Sequence, residues 1–143
     1  MRTKRWLMAL VPLVVLAGSL PAQDATAQKP GPPVDEQVDA LISIDNACKP
    51  AKVTPDPIKV QRGNKIRWGV TSECPAEVTV SIQMKDAERD PLEDCSGNRK
   101  TKKEKHKPGK PITCKVKSGA LGKYGYSVSA DGNTLDPEIE VRE

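Results

Sequence analysis

In the stretch 123–142, apolar residues recur at every second position on either side of a turn. Tyr124, Tyr126 and Val128 alternate with small or polar residues, and Ile139 and Val141 alternate with glutamates and an arginine. A two-residue period puts each apolar set on one face of a pleated strand, which a helix of 3.6 residues per turn cannot do. The intervening Asp131-Gly132-Asn133-Thr134-Leu135-Asp136-Pro137 is turn chemistry. Two such strands read as the closing unit of an antiparallel sheet.

The same period runs through the chain. Val78, Val80, Ile82 and Met84 share one face of a strand over 77–84, with Glu77, Thr79, Ser81 and Gln83 on the other. Ile66, Trp68 and Val70 form a third set, Ile112, Cys114 and Val116 a fourth, and Ile58 and Val60 a fifth. Leu41-Ile42-Ser43-Ile44 is a first strand. Pro50, Pro55 and Pro57 exclude a central strand between Cys48 and Ile58, because proline lacks a ladder donor, so an irregular edge is expected there. Residues 86–98 are polar, with a short helical turn expected around Ala87. No helical stripe occurs, and the expected fold is an all-β sandwich of about seven strands. With no Phe, two Trp and two Tyr, the core must come from Val, Ile and Leu.

The amino terminus reads as an export signal, 1–27. Arg2, Lys4 and Arg5 precede an apolar run, and Ala25-Thr26-Ala27 offers a small-x-small cleavage site. The run is too short for a bilayer, which needs about 20 residues, so no transmembrane anchor is expected in the mature chain. Leu16-Ala17-Gly18-Ser19 resembles the lipid-attachment box of bacterial lipoproteins, but serine replaces the cysteine that would carry the lipid. A proline-bearing tether, 28–39, and one sandwich domain, 40–143, complete the expected organisation. A periplasmic or secreted location follows. Net charge is +4, and the signal takes three cations and one acid with it, so the remainder is only mildly basic.

Cys48, Cys74, Cys95 and Cys114 all lie in the exported part. An even number in an oxidising compartment reads as two disulfides, and three pairings are possible. Proximity in sequence favours Cys48–Cys74 and Cys95–Cys114. A zinc site fails on spacing, since no Cys-x2-Cys pair occurs and the sole histidine is His106.

The order Ile58-x-Val60-x-x-Gly63-x-x-Ile66-x-Trp68, then Gly122-x-Tyr124-x-Tyr126-x-Val128 and a final Ile139-x-Val141, resembles the cupredoxin family of plastocyanin and azurin relatives. The resemblance implies a Greek-key antiparallel β-sandwich. It also implies copper ligands, and these are missing. Val128 stands at the family's cysteine, Asp131 and Asp136 at the offsets of its histidine and methionine, and Glu73-Cys74-Pro75-Ala76 where its first histidine falls. A blue-copper centre needs two imidazoles and a thiolate, and one histidine cannot supply them. No cofactor is therefore expected. An immunoglobulin-like sandwich is the alternative fold, and Tyr124 or Tyr126 suits a tyrosine corner in either.

Residues 99–110 carry seven cations against Glu104: Arg99, Lys100, Lys102, Lys103, Lys105, Lys107 and Lys110. Such a run attracts polyanions or serves as a solvated hairpin tip. No aromatic interleaves it, so specific nucleic-acid recognition is not expected. Asp131 with Asp136 lacks the pattern of a calcium loop and reads as a turn. Met84 falls on an apolar face and reads as core. Asp90, Glu93 and Asp94 have no apolar surroundings to raise a pKa, and His106 lies in a lysine-rich run, a poor place for an oriented base. The expectation is a non-enzymatic binding or interaction module without a copper centre. Its partner is a protein or a polyanionic envelope component, met in the second case through the basic loop 99–110.

Overall fold

A computed structural model of the chain describes residues 35–104 and 109–143. The expected signal and most of the expected tether lie outside the described residues, as do Lys105, His106, Lys107 and Pro108. Among the described residues eleven strands form: β1 (Gln37–Ile44), β2 (Pro50–Thr54), β3 (Ile58–Gln61), β4 (Lys65–Ser72), β5 (Val78–Met84), β6 (Leu92–Glu93), β7 (Lys100–Lys103), β8 (Ile112–Val116), β9 (Gly122–Ala130), β10 (Asn133–Leu135) and β11 (Glu138–Arg142). Sheet one runs β2-β1-β4-β8-β6. Sheet two runs β3-β11-β9-β5-β7, with β10 beside β9. From β2 to β9 every connection passes from one sheet to the other.

The alternating positions meet between the layers. Ile42, Ile58, Ile66, Trp68, Val80, Val128 and Ile139 are fully buried, and Val78, Ile82 and Met84 are also buried. Each such side chain contributes about 1.5–3 kcal/mol relative to exposure. Tyr126 crosses from β9 to Trp68 of β4. The rings meet edge to face at 6.0 Å, and the indole Nε1–H donates to the tyrosine hydroxyl at 3.3 Å. Tyr124, one pleat outward, donates its hydroxyl hydrogen to the carbonyl of Leu121 at 2.9 Å. Of the two tyrosines it is therefore the one in a tyrosine-corner contact.

The all-β sandwich matches the sequence expectation, and several details differ. There are eleven strands rather than about seven, because β6 and β10 are too short, and β7 too polar, to show a period. The pairing is not wholly antiparallel. β1 lies parallel to β4 and β11 parallel to β3. Alternation specifies which face a residue takes and says nothing of strand direction. The tether ends earlier than 39, because β1 begins at Gln37. The Lys65 amide bonds the Glu36 carbonyl, and Lys65 Nζ bonds Asp35 at 3.0 Å, which holds the Asp35 carboxyl below its usual range. The helical turn expected at Ala87 is a bend in which Asp86 accepts from the amides of Glu88 and Arg89. The prolines act as expected, leaving β2 and β3 at sheet edges.

Candidate anion-binding groove

Both favoured disulfides form. Cys48–Cys74 ties the turn after β1 to the end of β4, and Cys95–Cys114 ties the β6–β7 connection to β8. That connection is an unusual piece of backbone. Asp94, Gly97, Asn98 and Arg99 all have left-handed φ, at 50°, 58°, 51° and 60°. Glycine adopts this conformation freely; arginine does so at a cost of order 1 kcal/mol or more. Several bonds hold it in place. Arg99 donates through Nε to Cys95 Sγ at 3.1 Å and through Nη2 to the Leu92 carbonyl at 3.3 Å, and Nη2 pairs with Asp90 at 2.7 Å. Asp90 also accepts from the Leu92 amide, and Ser96 Oγ accepts from the Thr113 amide of β8.

This turn delivers β7 to the edge of sheet two, antiparallel to β5. Thr101 points inward, and its hydroxyl donates to the Lys110 carbonyl at 2.6 Å. The bond draws the returning chain against β7. Between the turn, β7 and that return lies a groove of about 480 Å³, lined by Ser96, Gly97, Lys100, Thr101, Lys102, Glu104, Lys110 and Pro111. Three of the lining side chains are lysines and one is a carboxylate. Lys102 pairs with Glu77 at 2.7 Å, and that bond raises its pKa. Lys100 and Lys110 have amines without a carboxylate partner among the described residues.

The seven sequence candidates thus separate. Lys100, Lys102 and Lys110 come together at the groove. Lys103 turns its amine to the Glu104 carbonyl at 3.1 Å and, with Glu104, borders a second hollow beside Cys74 and Pro75. Arg99 is taken inward by Asp90 and Cys95, away from the anion-binding role expected of it. Lys105 and Lys107 lie outside the described residues. The basic loop is therefore partly a strand: residues 100–103 pair with β5 instead of forming a loose tip. The signal missed in the sequence is Thr101, the one non-cationic residue of β7, whose burial marks a strand position.

The other candidates have structural work. Asp90 is bound to Arg99. Asp131-Gly132 forms a two-residue hairpin turn with φ of 47° and 78° between β9 and β10. Asp136 accepts from Ser127 Oγ and pairs with Lys85. Burial drives the Tyr126 phenol far above its ordinary range, against the opposing Trp68 hydrogen bond, so it stays neutral in the core.

The residues at the family's copper positions do not fit that metal. Val128 is fully buried between the sheets, and Cys74 is oxidised to its partner and offers no thiolate. Among the described residues no three of His, Cys, Asp and Glu gather at metal-binding distance. Among the same residues no helix is long and apolar enough to cross a membrane.

No protein-family model and no curated protein matches the chain. Solved structures do. Auracyanin A, a blue copper protein from the green thermophilic photosynthetic bacterium Chloroflexus aurantiacus, is 14% identical over 75% of this chain and 100% of its own, with a TM-score of 0.46. Auracyanin B is 11% identical over 77% of this chain and 94% of its own, at 0.47. The McoA multicopper oxidase from the hyperthermophile Aquifex aeolicus is 6% identical, covering 76% of this chain and 29% of its own, at 0.43. The chain's likeness to these proteins lies in the course of the backbone alone.

Proposed function

We propose that this chain is an exported, non-enzymatic binding module that takes an anionic partner in the groove beside β7. The reading rests on one observation: Lys100, Lys102 and Lys110 converge on a groove with Glu104 as its lone carboxylate. The strained turn next to the groove, fastened by Cys95–Cys114 and Asp90–Arg99, supports it, since such strain tends to accompany functional sites. Two disulfides suit an oxidising compartment outside the cytoplasm. Beside the groove, Glu77 pairs with Lys102 and Asp90 with Arg99. Lysine is a hydrated point charge on a flexible stem, suited to sulfate, phosphate or carboxylate without bidentate geometry.

Retention on immobilised heparin tests the reading. The wild type should be retained, with affinity falling steeply as salt rises. Lys100→Gln/Lys102→Gln/Lys110→Gln should elute early, the slope of log affinity on log salt falling by about 3. Unchanged retention of the triple variant would reject the groove as the anion site.

A further inference from the structure

The outer face of sheet two carries hydroxyls in register with the groove lysines. Lys100 lies opposite Ser81, Ser81 opposite Ser129, and Ser129 opposite Thr134. In the flanking rows Lys102 lies opposite Thr79, and Gln83 opposite Ser127. All of these alternate with the buried Val80, Ile82, Thr101 and Val128, so they face away from the core. At about 4.8 Å between strands, the row from Lys100 to Thr134 spans roughly 14 Å. Ser129 and Thr134 bond each other at 3.2 Å, whereas the hydroxyls of Ser81 and Thr79 have no partner among the described residues.

We propose that this face, with Lys100 and Lys102 at its rim, seats an acidic polysaccharide lying across the strands. The proposal rests on the anion-binding reading and names its ligand class. A sugar chain presents hydroxyls that both donate and accept, as serine and threonine do, and its sulfate or carboxylate groups meet the lysines. The charge is placed accordingly, with cations at one end of the row and neutral hydroxyls along the rest. Single-stranded nucleic acid fits poorly, since no aromatic side chain stands on these rows for a base to stack on.

The test separates hydroxyls from charge. Ser81→Ala/Ser129→Ala/Thr134→Val keeps every lysine and the strand shape. Binding of heparin and of linear polyphosphate is measured by calorimetry on the full chain. The expected result is a loss of about tenfold or more for heparin with polyphosphate unchanged. A heparin affinity within about twofold of wild type overturns the proposal, and so does an equal loss for both probes. If the hydroxyl variant binds normally while the lysine variant does not, this inference fails and the anion reading stands. If the wild type binds neither probe, both fail. Amide shifts induced by a heparin oligosaccharide give a readout free of any folding defect. They should centre on residues 79–83, 127–129 and 134, and shifts confined to sheet one would also overturn the proposal.

Discussion

Opening the Cys95–Cys114 bridge should loosen the groove and destabilise the domain by a calculable amount. The cysteines are 19 residues apart. Loop-closure entropy in the unfolded chain then gives about 3 kcal/mol at 25 °C. The bridge Cys48–Cys74 encloses 26 residues, for about 3.5 kcal/mol on the same relation. Global stability therefore hardly distinguishes the two, and the double alanine variants should melt roughly 12–28 °C lower at 4–8 °C per kcal/mol. Local stability does distinguish them. Cys95 anchors the left-handed turn that launches β7 and accepts from Arg99, so without it the turn loses two restraints at once. In Cys95→Ala/Cys114→Ala the β7 amides should exchange far faster and heparin retention should fall. In Cys48→Ala/Cys74→Ala the fast exchange should appear at residues 45–49 and 72–74, with β7 spared. Denaturant unfolding and amide hydrogen exchange measure both effects. A loss below about 1 kcal/mol, or equal β7 protection in the two variants, would refute the account.

Tyr126→Phe leaves the Trp68 indole N–H buried without its acceptor and should cost about 1–3 kcal/mol in denaturant unfolding, with the fold retained. The same phenol predicts alkaline lability. Its folded pKa is raised above the unfolded value near 10, so its contribution is complete below that pH and is lost as pH rises through the folded pKa. Stability should therefore decline above about pH 10, and by less in Tyr126→Phe, as followed by circular dichroism. Lysines on the edge strand β7 also discourage pairing with a second chain. Lys100→Thr/Lys102→Thr should associate with rising concentration in sedimentation, and a variant that stays monomeric would show that the charges do not guard this edge.

The sequence marked the core well. Every apolar residue of the 78–84 strand is buried, as are Ile66, Trp68, Ile112, Val116, Ile139 and Val141, because alternation reports a face directly. Proline placed β2 and β3 at edges for an equally local reason. The basic run was visible as charge and misread as a loop, since the strand character of residues 100–103 depends on pairing with β5 and on the buried Thr101. Arg99 looked like its neighbours, and its withdrawal to Asp90 and Cys95 depends on a backbone conformation that composition does not reveal.

The sequence alone determined that this chain folds as sheets, which side chains go inward, and that its sulfurs number two pairs. Each of these is a property of residue identity or nearest-neighbour spacing. Tertiary structure decided that β1 runs beside β4 in the same direction, that three of the cations border one groove while Arg99 turns away, and that Lys100, Ser81, Ser129 and Thr134 stand in a row. Those alignments join residues tens of positions apart, and register between distant strands is set by how two whole sheets bury their faces, which no local pattern encodes.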